Sequence, residues 1–181
     1  MNGANITPSK QALRLELPSM SAVLSSPPEP ELSFLAMLDE HLSLVAAIES
    51  DVYVFPWTIG NFRDSILSAY ECWGCWNSGE LIGYAVVMTA LDEAHLLNFA
   101  VASRWQQRGV GAAFLQFLVD RARDAKRDVL YLEVRPSNVA GLRLYERFGF
   151  KQLGVRRDYY PAMTGRENAL FLGLSLPRNI L

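Results

Sequence analysis

Apolar and polar positions along the chain fall into two periods, and the switches between them predict the elements. A dense apolar run at residues 31–38 predicts a short strand, and residues 39–50 a helix with Asp39 as candidate N-cap. Phe55-Pro56-Trp57 breaks the pattern. Thr58 then caps a second helix with Ile59, Phe62, Ile66 and Leu67 on one side. Residues 71–76 and 80–90 predict a hairpin about Asn77-Ser78-Gly79-Glu80, and residues 95–102 a strand after an Asp92-Glu93 turn. Residues 109–125 form a long amphipathic pattern carrying Phe114, Leu115, Leu118 and Ala122. A strand at 129–134, a helix at 137–148 and strands at 150–157 and 169–176 complete the order β-α-α-β-β-β-α-β-α-β-β. That order predicts a mixed α/β fold with one central mixed sheet flanked by helices. No period suggests repeats.

Residues 1–30 differ from the rest. They hold five of the nine prolines and five serines, with no aromatic residue. Such a segment buries too little apolar area to offset its ordering entropy, so it reads as a flexible extension before one domain at 31–181. The whole chain has 181 residues, a formal charge of −2 and a pI near 5.7. A nucleic-acid-binding protein is normally basic, so nucleic acid is disfavoured as the main ligand. The longest apolar stretch, residues 81–91, is too short to span a bilayer, and no basic segment followed by an apolar run marks a secretory signal. The expectation is a cytoplasmic protein with no membrane partner.

The two cysteines, Cys72 and Cys75, form a C-x-x-C. Three residues apart on a strand, they point to opposite faces, and His41 and His95 sit in unrelated segments, so buried or half-buried free thiols are expected and no metal site.

Three segments can carry chemistry. In the first, an apolar strand enters Gln106-Gln107-Arg108-Gly109-Val110-Gly111, which opens a long helix. Unpaired N–H groups and the positive helix end then meet at one point, suited to an anion, although the same glycines serve an ordinary turn. The segment is neither a Walker loop nor the Gly-x-Gly-x-x-Gly dinucleotide pattern. In the second, Leu130, Leu132 and Val134 share one strand face and Tyr131, Glu133 and Arg135 the other. Glu133 is therefore a carboxylate in an apolar strand, either a general base raised by desolvation or an acid satisfied by Arg135 or an amide. Asn138 then begins a helix, as an N-cap or as a ligand contact. In the third, Leu142, Leu144, Tyr145 and Phe148 form a packing face that Gly149 ends, and the Tyr145 phenol could also donate a proton to a leaving thiolate.

In this order and spacing, Gln106-Gln107-Arg108-Gly109-x-Gly111, Leu132-Glu133-Val134-Arg135-x-Ser137-Asn138 and Leu144-Tyr145-Glu146-x-x-Gly149-Phe150 resemble the GNAT N-acetyltransferase family over residues 31–176. Phe55-Pro56-Trp57, Leu91-Asp92-Glu93-Ala94, Asn98-Phe99-Ala100-Val101 and Arg156-Arg157-Asp158-Tyr159-Tyr160-Pro161 are most similar to members acting on ribosomal proteins. The resemblance implies the GNAT acyl-CoA N-acyltransferase fold, acetyl-CoA as co-substrate and no metal. It implies as acceptor the N-terminal alanine of small-subunit ribosomal protein eighteen, attacking directly in a ternary complex. It assigns Phe99, Ala100 and Val101 to the pantetheine arm and thioester carbonyl, and Gln107, Arg108, Gly109, Val110, Gly111 and Ala112 to the pyrophosphate. Asn138 would touch the CoA arm, Glu133 would be the base and Tyr145 the acid. Asp158, Tyr159 and Tyr160, in a loop between the last strands, and Asp92 and Glu93, in another turn, either line the peptide groove or are solvated turn carboxylates and packing aromatics. Where many relatives carry a proline this chain has Ala102-Ser103-Arg104-Trp105, and Pro136 and Gly141 are further departures. A lysine side chain or a small amine stands as the alternative acceptor. An α-amine, with a pKa of ~7.7–8, costs about 3.5 kcal/mol less to deprotonate than a lysine at ~10.4.

Overall fold

The computed structural model describes Met1 and residues 31–177. Apart from Met1, the expected flexible extension lies outside the described residues. The elements are β1 (Leu32–Ala36), α1 (Leu42–Val52), α2 (Ile59–Leu67), β2 (Glu71–Asn77), β3 (Glu80–Ala90), β4 (Glu93–Val101), α3 (Val110–Asp124), β5 (Val129–Val134), α4 (Val139–Arg147), β6 (Lys151–Pro161) and β7 (Arg166–Ser175). The strands form one seven-stranded sheet in the order β1-β2-β3-β4-β5-β7-β6. All neighbours are antiparallel except β4 and β5, which are joined through α3 and run parallel. The mixed sheet flanked by helices is the fold expected from the pattern. No helix among the described residues is long and apolar enough to cross a membrane.

Each sheet face has its own core. On one, α3 buries Phe114, Leu115, Leu118 and Val119 against Ala85, Leu96, Leu130 and Leu132. On the other, α1 and α2 bury Leu42, Val45, Ile48 and Phe62 against Tyr84, Val86 and Ala100. Cys72 belongs to the second cluster and Cys75 to the first, as strand alternation requires. Both thiols are free, and burial pushes them up to about 11 and about 12.

Local chemistry explains where the elements begin. Thr58 Oγ1 accepts from the Asn61 N–H at 3.3 Å while Asn61 Oδ1 accepts from the Thr58 N–H at 2.8 Å, a reciprocal cap. Asp39 is not the cap expected of it. Its carboxylate accepts from Arg63 Nε at 2.7 Å, residues 39–41 form a 3-10 turn, and α1 starts only at Leu42. The last two strands are longer than the pattern suggests, and Asp158, Tyr159 and Tyr160 lie on β6 rather than in a loop. A bulge between Arg156 and Tyr160 conceals the strand: Asp158 takes φ 49°, and Asn168 Oδ1 accepts its N–H at 3.0 Å in place of a ladder bond.

One irregularity organises the rest. Val86 faces Asn98 but Val87 faces Leu96, so Leu97 is an extra residue in β4. It shifts the alternation: Ala94 and Leu96 face α3, whereas beyond it Ala100 faces α1 and Val101 faces α3. Past the bulge β4 also parts from β5. The two pair only from Glu93 with Val129 to Leu96 with Leu132, which leaves a wedge between Phe99–Val101 and Glu133–Val134.

Phe114 is fully buried and stacks on Phe34 at 5.2 Å and against Phe99 at 5.4 Å, bracing the wedge from below. Phe114→Ala is expected to lower stability by about 3–5 kcal/mol. Thr58→Ala, at the edge of the fold, should cost about 1 kcal/mol. Denaturant titration of both variants checks the ranking.

Candidate active site

The wedge exposes backbone groups of β4. The Ala102 N–H donates to the Ile82 carbonyl at 2.9 Å, which fixes the alternation: Asn98 and Ala100 turn their backbone toward β3, and Phe99 and Val101 away from it. Both carbonyls on the wedge side are held by side chains, Phe99 by the Tyr53 hydroxyl at 2.8 Å and Val101 by the Gln106 amide at 2.9 Å. The N–H groups of Phe99 and Val101 meet no acceptor among the described residues, so two parallel donors face the wedge. Ala100 is not part of this edge.

At the mouth of the wedge β4 turns into α3. Gln107 (φ 59°) and Gly109 (φ 82°) both take left-handed conformations, which curl successive N–H groups toward one point. The first intrahelical bond of α3 runs from Ala113 to Gly109, so the N–H groups of Val110, Gly111 and Ala112 have no partner within the helix. No side chain caps this end. A Cβ on Gly109 would meet nothing within 4 Å, so the approach is open, while Gly111 faces Leu144 and Val101. Arg108 lies over Trp105 at 5.4 Å, beside the turn. Donors along β4 and a bare helix end continuous with them fit an extended ligand with a diphosphate.

Tyr145 and Glu133 flank the wedge from opposite faces. Tyr145, on α4, is 7% exposed with its ring against Phe150 at 5.5 Å, and its hydroxyl makes no hydrogen bond with a described residue. Burial, and Tyr160 nearby, raise its phenol above the ordinary value of 10.0. Glu133 faces away from α3, on a half-buried surface that α1 and α2 do not cover. The expectation of a carboxylate isolated among apolar neighbours fails there. Arg156 Nε donates to Glu133 Oε1 at 2.5 Å, and the Tyr159 hydroxyl is bonded to the same carboxylate. Nor is Arg135 its partner, since Arg135 donates to the Pro161 carbonyl at 2.9 Å and pairs with Glu167 at 3.4 Å.

Asn138 is the N-cap of α4, with Oδ1 accepting from the Gly141 N–H at 2.9 Å. Its amide explains Gly141, because a Cβ there would stand 2.7 Å from Asn138 Nδ2. A glycine that weakens a helix interior is here the room the cap needs.

Tyr160 is held under Arg135, whose guanidinium lies 4.3 Å from its ring, and burial together with Glu133 pushes its phenol up to about 12. Tyr159 crosses it at 5.0 Å. Both therefore border the wedge with Glu133, and Asp158 sits in the same bulge. Asp92 and Glu93 do not join them. They mark the β3–β4 turn, six or more residues from Phe99 along β4, or roughly 20 Å at ~3.3 Å per residue. Their place at the opposite end of the sheet follows from the parallel run of β4 and β5, whose C-terminal ends alone form the wedge.

Two further residues border the site without any motif to announce them. Tyr53 ends α1, reaches Phe99, and has its phenol raised by burial, reinforced by Tyr145, Glu49 and Tyr160. Glu49 lies one turn earlier, 1% exposed. The sequence signal was there: Glu49 follows Leu42, Val45 and Ile48 on the apolar stripe of a helix, where an acid needs a reason.

The expected cost of Gly141→Ala is set by Asn138: the helix-propensity gain of up to ~1 kcal/mol is offset by displacement of the cap, so thermal stability should not rise. A clear rise in Tm would contradict that reading of the Asn138 amide.

Comparison with known proteins gives the family. The Acetyltransferase (GNAT) family matches residues 36–150. The "[Ribosomal protein bS18]-alanine N-acetyltransferase" of Escherichia coli (strain K12) is 36% identical over 129 residues, 71% of this chain and 87% of that protein. The "N-alpha-acetyltransferase RimI" of Mycobacterium tuberculosis is 35% identical over 122 residues, 64% of this chain and 75% of that protein. The crystal structure of the E. coli ribosomal-protein-S18-alanine N-acetyltransferase superposes with a TM-score of 0.77 at 32% identity, covering 83% of this chain and 98% of that one. With the family pattern and the fold in agreement over most of its described length, the chain belongs to the GNAT acetyltransferase family.

Proposed function

We propose that the chain transfers the acetyl group of acetyl-CoA to the N-terminal α-amine of a ribosomal protein, the alanine of small-subunit protein eighteen being the acceptor suggested by the names of its relatives. The observation that carries this reading is the wedge itself: two free β4 donors lead to an uncapped helix end, with a phenol on one face and a carboxylate on the other. A cytoplasmic location follows from such an acceptor.

Each residue has a role in that reaction. The Val101 N–H and the Asn138 amide hold the pantetheine arm, and the turn from Gln107 to Ala112 holds the diphosphate. The Phe99 N–H faces the thioester oxygen and stabilises the negative charge that develops there when the amine attacks. Glu133, which Arg156 holds in an ion pair, takes the proton the attacking nitrogen gives up, directly or through water. Tyr145 donates to the sulfur as the C–S bond breaks. Burial raises the phenol above its ordinary value, which favours the protonated donor where an α-amine begins to be neutral. Tyr159, Tyr160 and the Phe55 ring, which Arg135 bridges to Tyr160, border the side from which the acceptor enters.

Mass spectrometry of peptides incubated with the protein and acetyl-CoA tests the acceptor class. An acetyl group is expected on an Ala-Arg-Tyr-Phe N-terminus and not on the same peptide N-blocked with an internal lysine, nor on a polyamine. Acetylation of the blocked peptide or polyamine would overturn the α-amine reading. Tyr145→Phe should reduce kcat on the order of a hundred-fold with the acetyl-CoA Kd nearly unchanged. In the wild type, kcat/KM should rise as the amine deprotonates near pH ~7.7–8 and then stay level toward pH ~10, because a raised phenol does not lose its proton in that range. A high-pH fall beginning near pH 9, absent in Tyr145→Phe, would contradict this.

A further inference from the structure

Glu49 is the buried acid that this chemistry leaves unused. Its Oε1 accepts from the Trp57 backbone N–H at 2.7 Å and from Asn98 Nδ2 at 3.3 Å, and Asn98 Oδ1 accepts in turn from the Tyr84 hydroxyl at 3.3 Å. Oε2 is buried with no hydrogen-bond partner. A charge there is opposed by burial, which raises the carboxyl pKa, and by the C-terminal end of α1, while the two donors favour it. An apolar residue would pack on this stripe without either cost, so the carboxyl must gain something from its two partners.

Those partners belong to two separate segments, the α1–α2 loop and β4. Trp57 lies in the loop that runs from Tyr53 through Phe55 on the acceptor side. Asn98 directly follows the bulge residue Leu97, and the shift in alternation there is what turns it toward α1. The next residue is Phe99, whose carbonyl Tyr53 holds at 2.8 Å. The last turn of α1 thus grips β4 at two successive residues, at the side chain of Asn98 and the main chain of Phe99.

We propose that Glu49 is a positioning residue for acyl transfer: by accepting from Trp57 and Asn98 at once, it fixes the splayed segment of β4, and with it the Phe99 N–H, against the loop that admits the acceptor. This rests on the wedge being the acyl-transfer site. The role needs an acceptor oxygen and not a charge, since only Oε1 is engaged. Glu49→Gln keeps such an oxygen, whereas Glu49→Ala removes it. Asn98→Ala releases β4 and leaves the Trp57 contact.

Steady-state kinetics with the Ala-terminal peptide, below the Tm of each variant, tests the proposal. Glu49→Gln should keep kcat and KM within about three-fold, whereas Glu49→Ala should lower kcat on the order of ten- to a hundred-fold and raise the acceptor KM, with the acetyl-CoA Kd little changed. Asn98→Ala should lower kcat at constant acceptor KM. If Glu49→Ala does not fold, Glu49→Gln and Asn98→Ala carry the test. The proposal is overturned if Glu49→Gln is as slow as Glu49→Ala, or if the variants lose only Tm while kcat and KM stay at wild-type values. Acetylation by wild type in the same assay keeps the two readings apart: an inactive wild type overturns the proposed function, and an active one with indifferent variants overturns only the role of Glu49.

Discussion

The architecture depends on one extra residue. Leu97 has no partner in β3, and its insertion does two things that a regular strand cannot do together. It parts β4 from β5 after four residue pairs, so main-chain donors reach an open wedge in the middle of a seven-stranded sheet. It also inverts the alternation of β4, so Asn98 faces α1 while Val101 faces α3. Unpaired backbone donors inside a sheet are costly, and they persist where surrounding structure enforces them. Here Tyr53 and Gln106 take up the carbonyls and leave the N–H groups free. A strand edge with its acceptors occupied and its donors free is a surface for binding carbonyl groups.

The two sheet faces divide the chemistry between them. The α3 face is dry, and the Tyr145 phenol stays protonated there because burial disfavours its anion. The other face is covered by α1 and α2 only over β1 to β4; beyond them Glu133, Arg156, Tyr159 and Tyr160 stand on an open sheet surface where charges meet water. A buried phenol on one side and an ion-paired carboxylate on the other suit the proposed reaction, which releases a thiolate on one face and a proton on the other.

Most of the fold could be read from the sequence because its elements are periodic and sharply ended. Thr58 and Gly149 mark helix ends by chemistry that is local. The misreadings share a cause: a distant partner takes the group that a local reading assigns elsewhere. Asp39 is taken by Arg63, and the second half of β6 is held by Asn168 and Arg166 rather than by a regular ladder. Glu133 meets Arg156 across β7, a pairing that no spacing along the chain displays. The phase shift at Leu97 is equally hidden, because Leu96, Asn98 and Ala100 look like one strand face. Asp92 and Glu93 illustrate the limit of motif reading, since they sit in a turn beside the right strand but at its wrong end.

In the proposed reaction the Phe99 and Val101 N–H groups are the donors that receive the thioester arm. Residue-resolved amide hydrogen exchange on β4, with and without acetyl-CoA, tests it most directly. Exchange at Phe99 and Val101 is expected to slow on binding while Ala100, already bonded to β3, does not change. Saturated binding with Phe99 and Val101 exchanging as freely as before would contradict it.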